Sequence, residues 1–345
     1  MVDAVESDPQ SPGSGDDRSG QKDMELRIST KRARLRDLAP AVAHDRLGNI
    51  TGHGHGLAMS AAAACFRRVP RIRYQLSGLA GIASLKALDE RLDDAAELDA
   101  LADRLSRLTH TIIAAPTELL AVTDPIVAKD VAAIVGALWK NFEAHSTSLV
   151  DPRVDKPPRE QAWITSTQVN FCAEAHPTVP EDHPDNAALS VLAGILRNAY
   201  LHGQLRKRGA YGAVRRTIVP TEVFRFYSYR DPNLMRTFEI FEESVDWILR
   251  GDIDFDLVEE SILGLIAGVD APSSPAGEAR QAFQNALFGR GPESRRQIRQ
   301  RILAVGVDDI ERVAGEYLNS GCARALITSD DGAAELPGTF VTHRI

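Results

Sequence analysis

The stretch VFRFYSYRDPNLMRTFEIFEESVDWIL, residues 223–249, joins a strand pattern directly to a helix pattern. Val223–Tyr229 is rich in aromatic residues, which favour extended strands. Asp231 can cap a following helix, and Pro232 suits a first helical turn. From Leu234 onward, apolar residues recur at intervals of four, three, four and three, which is the spacing of one helix face. The stretch therefore predicts a strand that leads into an amphipathic helix.

Further strands and helices are predicted on both sides of this stretch. Gln168–Ala173 alternates apolar and polar residues as a half-buried strand does, and Asp185 is a suitable N-cap for the next helix. The downstream patterns predict helices near residues 253–267, 276–288, 293–305 and 307–318, then a strand at Ala323–Thr328. Strands mixed with amphipathic helices, without a regular βαβ repeat, indicate an α+β fold.

The region before residue 150 is predicted to be mainly helical. Helical patterns cover Asp23 to about Ala39 and residues 57–109, while the glycine-rich residues 44–56 are interpreted as a loop. Leu119–Thr123 is an apolar run of strand type, and residues 126–142 return to helical spacing.

Composition divides the chain into four parts. Residues 1–22 are rich in Ser, Gly, Asp and Pro, which predicts a disordered leader. Residues 150–160 hold three prolines and six charges and make the best linker candidate. We therefore predict a leader at 1–22, an α+β region at 23–149, a linker at 150–161 and a second α+β domain at 162–345.

Charge and cysteine content exclude several classes of protein. The 345 residues carry a formal net charge of −8, and about half of it lies in the first 23 residues. This balance argues against general attraction to nucleic acid or to an anionic membrane. No apolar run approaches the ~18 residues that a membrane-spanning helix needs. Cys65, Cys172 and Cys322 are isolated from one another, which suits a reducing compartment and predicts a cytoplasmic location.

Histidines provide no recognisable zinc motif. Two of them lie in Gly52-His53-Gly54-His55-Gly56, where His44 could add a third metal donor, but the alternative is a glycine-rich helix entry. None of the nine histidines belongs to H-E-x-x-H or to the inverted H-x-x-E-H. A nucleophile elbow, a Walker loop and a dinucleotide fingerprint are also missing from the sequence.

The basic segment LRKRGAYGAVRR, residues 205–216, is the strongest candidate for function. It holds Arg206, Lys207, Arg208, Arg215 and Arg216 without an acidic residue. Cations at a helix C-terminus also complement the helix dipole without any function. An exposed Arg together with Tyr211 could polarise a carbonyl group or stabilise an oxyanion.

A second arginine run occupies residues 290–301 (RGPESRRQIRQR). It could bind nucleic acid, but it lacks interleaved aromatic residues. The alternative is the solvated face of a helix.

Several segments resemble the presequence-protease branch of the pitrilysin/insulinase zinc metallopeptidases, and the resemblance spans roughly residues 24–330. The segments that resemble the C-terminal half of that branch are LHGQLRKRGAYG (201–212), FRFYSYRDPN (224–233) and DAPSSPAGEARQAFQNALFGR (270–290), while GHGHGLAMSAAA (52–63) and QLSGLAGIASL (75–85) resemble its third domain.

The resemblance implies an α+β chain with two pitrilysin/insulinase-type domains, each a mixed sheet covered by helices. The first would be truncated at its N-terminus, because a leader stands where the family has strands. In that family two halves close like a clam shell around an unfolded peptide. The N-terminal half carries the zinc motif, so this chain is expected to hold no metal or other cofactor, and the expected partner is a zinc-bearing N-terminal half or subunit.

The resemblance also implies roles for individual residues. Arg206 and Tyr211 would bind the substrate backbone and support the transition state, while this half would hold no catalytic residue of its own. The family pattern L-H-x-x-I-R-x-x-G-G-A-Y-G has one more glycine than this chain, which leaves Arg208 as a rival to Arg206. We expect a non-zinc half of a metalloendopeptidase that acts on unstructured peptides and is inactive alone. The alternative is a degenerate remnant or a peptide-binding module without a catalytic role.

Overall fold

A computed structural model describes the backbone of residues 17–113, 115, 118–139, 153–216, 222–319 and 321–345. The helices of its N-terminal part are α1 (Asp17–Gly48), α2 (Ile50–Ala63), α3 (Arg68–Ser77), α4 (Leu79–Asp89), α5 (Ala95–Ile113) and α6 (Ala128–Trp139). Most of the predicted leader lies outside the described residues, and residues 17–22 belong to α1.

Two local predictions for this part were wrong. The predicted loop at 44–56 is helical, since it comprises the end of α1 and the start of α2, with a kink at His53 (φ −123°, ψ 16°). The cost of glycine in a helix is offset there because α2 packs on a sheet. The strand predicted at Leu119–Thr123 does not form, because residues 118–124 have no regular secondary structure.

A six-stranded mixed sheet follows. Its strands are β1 (Glu160–Ile164), β2 (Phe171–Pro177), β3 (Tyr211–Arg216), β4 (Val223–Tyr229), β5 (Ala323–Thr328) and β6 (Val341–Arg344). The spatial order is β3-β4-β2-β5-β1-β6. β1 runs parallel to β5 and β6, whereas β2 runs antiparallel to β4 and β5, and β3 antiparallel to β4.

The helices of the C-terminal part confirm the predicted spacing. They are α7 (Asp185–Ile195), α8 (His202–Arg206), α9 (Met235–Leu249), α10 (Phe255–Asp270), α11 (Pro275–Leu287), α12 (Pro292–Leu303), α13 (Val307–Tyr317) and the short α14 (Asp330–Ala334). A π-helical turn, Leu196–Leu201, joins α7 to α8. None of the helices in the described ranges is both long and apolar enough to cross a membrane.

Both faces of the sheet are covered. Cys172, Phe226 and Leu326 face a core built with α7, α9, α10, α12 and α13. Phe171 and Ile327, on the opposite face, pack against α2 and its neighbours. The strand predicted at Gln168–Ala173 is therefore shifted to β2, and it is buried on both faces rather than half-buried.

A polar seam ties the N-terminal helices to the sheet. The Tyr74 hydroxyl on α3 donates to Oε1 of the buried Gln161 on β1 over 2.9 Å. The Nε2 group of Gln161 donates in turn to the carbonyl oxygen of Ala61 on α2 over 3.3 Å. Arg67 donates to the carbonyl oxygen of Thr178 over 2.9 Å and pairs with Glu222 over 2.8 Å. These bonds fix how α2 and α3 sit on the sheet.

Candidate functional site

The segment after α8 leaves the helix through a glycine cap. The Gly209 amide donates to the carbonyl oxygen of Arg206 and the Ala210 amide to that of Leu205, both over 3.1 Å. Gly209 has a φ of +81°, which glycine adopts without strain. This pattern of bonds is a Schellman motif. Ala210 and Leu205 are both buried, so the motif is anchored in the core directly before β3 begins.

The basic residues of this segment lie on the surface. Arg206, Lys207 and Arg208 are exposed at the end of α8 and in the turn after it. Tyr211 is the first residue of β3, and its backbone pairs with that of Tyr229 on β4. The side chains of Tyr211, Arg215 and Arg216 lie outside the described residues.

The turn SYRDPN, residues 228–233, is organised by the buried carboxylate of Asp231. Its Oδ1 accepts the Asn233 amide over 2.9 Å, and its Oδ2 accepts the Thr237 hydroxyl over 2.6 Å. Its backbone forms two hydrogen bonds with that of Asn170. Asp231 is thus not the cap residue itself, because Leu234 holds that position, but it holds the first turn of α9 by a side-chain bond.

The two motifs are in contact. The Asn233 Nδ2 group donates to the carbonyl oxygen of Arg208 over 3.3 Å. A Cβ atom at Gly209 would lie 3.6 Å from Cγ of Pro232. Residues 206–211 and 228–233 therefore form one corner, where β3 begins and β4 ends. We call it the β3–β4 corner.

The Gly52–Gly56 segment is a packing element. A Cβ atom at Gly54 would lie 2.5 Å from the Phe171 ring, so only glycine allows α2 to approach β2 this closely. The His55 ring packs against Tyr227 and Tyr229, with ring centroids 5.5 and 5.1 Å apart. Within the described ranges, no three His, Cys, Asp or Glu side chains converge as a metal site would require.

A buried ionic cluster lies elsewhere on the sheet. The Glu174 carboxylate contacts the His176 Nε2 atom over 2.9 Å and accepts from the Arg324 Nε group over 2.7 Å. Arg324 also bonds Glu242 on α9 and lies over the Phe238 ring. Burial alone would raise the pKa of Glu174, but His176 and Arg324 outweigh burial and hold that pKa below its usual value.

This cluster links β2, β5 and α9 through side-chain contacts, which is a structural role. A buried charge is tolerated only when it is paired and hydrogen-bonded, and Glu174 has both. Sequence reasoning missed it, although the two polar residues at Glu174 and His176 inside the apolar strand FCAEAHP were a usable signal.

The arginines of the second run form surface contacts with groups of the same chain. Arg296 pairs with Glu293 over 2.8 Å, and Arg299 pairs with Asp270 over 3.1 Å. Arg301 donates to the carbonyl oxygen of Asp182 over 2.6 Å, and Arg290 pairs with Glu181. Most of its positive charge is thereby compensated by neighbouring groups.

Comparison with known proteins places the chain in a family. The family model described as "PreP C-terminal domain" matches residues 160–325. The mitochondrial presequence protease of Yarrowia lipolytica is 31% identical over 279 residues, covering 77% of this chain and 27% of the relative. That of Danio rerio is 28% identical over 324 residues, covering 85% of this chain and 31% of the relative. The chain thus spans less than a third of the length of either relative.

Solved structures show the same fold. A peptidase M16 inactive domain from Pseudomonas fluorescens gives a TM-score of 0.56 at 14% identity, covering 87% of this chain and 71% of that one. Pitrilysin gives a TM-score of 0.53 at 13% identity, covering 93% of this chain and 34% of that one. The family model and the relatives together show a C-terminal half of a presequence-protease-like protein, and the solved structures show that its fold is pitrilysin-like.

Proposed function

We propose that this chain is the non-zinc half of a metalloendopeptidase, which binds an unstructured peptide and helps to close the active site. The observation that carries the proposal is the β3–β4 corner. Its two motifs, GAYG and SYRDPN, resemble the C-terminal half of the family. They pair through the backbones of Tyr211 and Tyr229, and Asn233 donates to the carbonyl oxygen of Arg208, the residue before GAYG. The partner is a zinc-bearing N-terminal half, and the location is cytoplasmic, whereas the named relatives are mitochondrial.

Arg206 and Tyr211 are the residues that act on the peptide. A guanidinium group offers several N–H donors in a fixed plane, and a phenol offers one O–H donor. Both suit a peptide carbonyl oxygen, or the negative charge that develops on it when water attacks. The resemblance implies that the metal chemistry belongs to the partner half, which carries the zinc motif in this family.

The second candidate is a peptide-binding module without a catalytic role. The shortened spacing between Arg206 and Tyr211 favours it, because one residue less before β3 alters how the two side chains can converge. In that case Arg208 is the rival for the contact with the peptide.

A chimaera separates these two functions. The matched segment of the Yarrowia lipolytica presequence protease is replaced by this chain, and cleavage of a fluorogenic unstructured peptide is measured. We expect cleavage by the chimaera and a loss of about 100-fold in kcat/KM for Arg206→Ala, the effect of removing one transition-state donor. Arg280→Ala, an exposed arginine on α11, is the matched control.

Assays of the chain without a partner half complement the chimaera. We expect no turnover by the pure chain with added zinc, although it should bind the peptide. Chelator-sensitive turnover by the chain alone would contradict the proposal. Peptide binding by the chain, together with an inactive but folded chimaera, would favour the binding module.

A further inference from the structure

The β3–β4 corner concentrates positive charge. Arg206, Lys207 and Arg208 are exposed on one of its turns, and Arg230 is exposed on the other. The bond from Asn233 to the Arg208 carbonyl oxygen holds the two turns together. Four exposed cations therefore lie on two adjoining turns of a chain whose formal net charge is −8.

These four cations have no carboxylate partner among the residues that the structure describes. Within the described part of the chain, none of them forms an ion pair with a carboxylate, whereas eight arginines elsewhere in the C-terminal part do. The paired ones are Arg236, Arg250, Arg290, Arg296, Arg299, Arg312, Arg324 and Arg344. The nearby Asp231 carboxylate is buried and is occupied by Asn233 and Thr237.

The conformation of Arg230 keeps its charge at this surface. Arg230 has a φ of +51°, a region that residues with a side chain rarely adopt, and its guanidinium lies 5.6 Å from the centre of the Tyr229 ring. Tyr229 pairs with Tyr211 across the strands, so Arg230 lies directly beyond the residue opposite Tyr211. Strained backbone that the surrounding structure maintains is a feature of ligand-binding positions.

We infer that Arg208 and Arg230, supported by Lys207, form a clamp for a carboxylate of the bound peptide. Like charges held close together repel one another, and an anionic ligand relieves that repulsion. Arginine also matches a carboxylate with two parallel N–H donors. The inference rests on the proposed function, and it adds a preference for peptides that carry a carboxylate near the site. That carboxylate belongs to a Glu or Asp side chain or to the peptide C-terminus.

Binding of labelled unstructured peptides to the full chain, measured by fluorescence anisotropy at low salt, tests the clamp. One pair of amidated peptides differs only by Glu or Gln at a central position. A second pair, both with the central Gln, differs only by a free or an amidated C-terminus. We expect one carboxylate peptide to bind about tenfold more tightly than its uncharged match, a preference that salt reduces. The pair that shows the preference identifies the source of the carboxylate.

Variants connect this preference to the corner. Arg208→Gln combined with Arg230→Gln should abolish the preference, while Arg280→Gln, which removes one positive charge from an exposed arginine on α11, should preserve it. The replaced side chains are exposed, so we expect the same unfolding temperature for all three proteins. Equal binding of all peptides, or a preference that survives the double substitution, overturns the clamp and leaves peptide binding standing. No binding of any peptide overturns both the clamp and the proposed function.

Discussion

Gly54 shows how one missing methyl group shapes this protein. Its position on α2 faces the Phe171 ring of β2 at a distance that leaves no space for a Cβ atom. Alanines continue the same contact on both surfaces, at Ala58 and Ala62 on the helix and at Ala173 on the strand. Small residues on two facing surfaces let a helix lie close to a sheet, and the interior then reaches normal packing density.

Replacing Gly54 by Ala tests this contact. The added methyl group must displace Phe171 or lift α2 from the sheet, so we expect a loss of about 1–3 kcal/mol in the free energy of unfolding. The control is Gly56→Ala in the same helix, where nothing lies within 4 Å of the added atom. That change should be neutral or should stabilise by up to about 1 kcal/mol, because alanine favours helix. Equal effects in urea unfolding would contradict this account of the glycines.

Contacts of single residues also explain the SYRDPN motif. Asp231 satisfies the groups of its own turn, and Asn233 connects that turn to the exit from α8. The motif is thus a structural support for the segment that carries Arg206 and Tyr211. Asp231 and Asn233 act on the proposed site by positioning it.

At the scale of elements, β6 has a titratable side-chain contact with β1. β6 pairs with β1 along the edge of the sheet, and the His343 ring stacks on Trp163 with centroids 4.5 Å apart and planes 24° apart. Burial disfavours the charged ring and holds the pKa of His343 below its usual value. The folded protein therefore keeps this imidazole neutral under conditions in which the unfolded chain protonates it.

This difference predicts a direction of pH dependence. As the pH falls below about 6.5, His343 becomes protonated in the unfolded chain but stays neutral in the folded protein. The free energy of unfolding therefore decreases until the pH passes the lower pKa of His343 in the folded state. His343→Phe keeps an aromatic ring on Trp163 and removes the titration, so we expect a smaller loss of stability between about pH 7 and pH 5. His110→Gln, on the exposed part of α5, is the control and should retain the loss. An unchanged pH profile in His343→Phe would exclude this histidine as the cause.

At the scale of the whole molecule, the N-terminal helices and the C-terminal part share one sheet. α2 covers a face that includes Trp163, Phe171 and Ile327, all buried. Without α2 these side chains would contact water, which costs about 25 cal/mol for each Å² of apolar surface exposed.

A fragment of residues 153–345 tests how far the C-terminal part can stand alone. We expect it to bind the dye ANS and to lose the cooperative thermal unfolding of the full chain, because one face of its sheet is uncovered. The full chain is the reference in both measurements. Cooperative unfolding of the fragment without dye binding would instead support the predicted division at residues 150–161.

Local patterns predicted much of the C-terminal part. The aromatic strand at Val223–Tyr229, the helix after it and the strand at Ala323–Thr328 are confirmed, because each depends on the period of its own apolar residues. The basic segment with GAYG was identified from the sequence as the candidate site, and SYRDPN as a segment that resembles the family. The hydrogen bond between Asn233 and Arg208 was not predicted, because it joins residues 25 positions apart.

Residue order and short-range spacing were enough to predict the α+β composition, most helices and strands of the C-terminal part and the family resemblance. Tertiary contacts were needed to establish that Gly52–Gly56 is helical, that β2 is central and that Glu174 is paired with Arg324, which lies on a strand far away in sequence. In each case the deciding free energy comes from a distant surface: α2 is held by the sheet, β2 by helices on both faces, and a buried carboxylate by its cation. Short-range periodicity does not indicate which surface, far away in sequence, will pack against a given helix or strand.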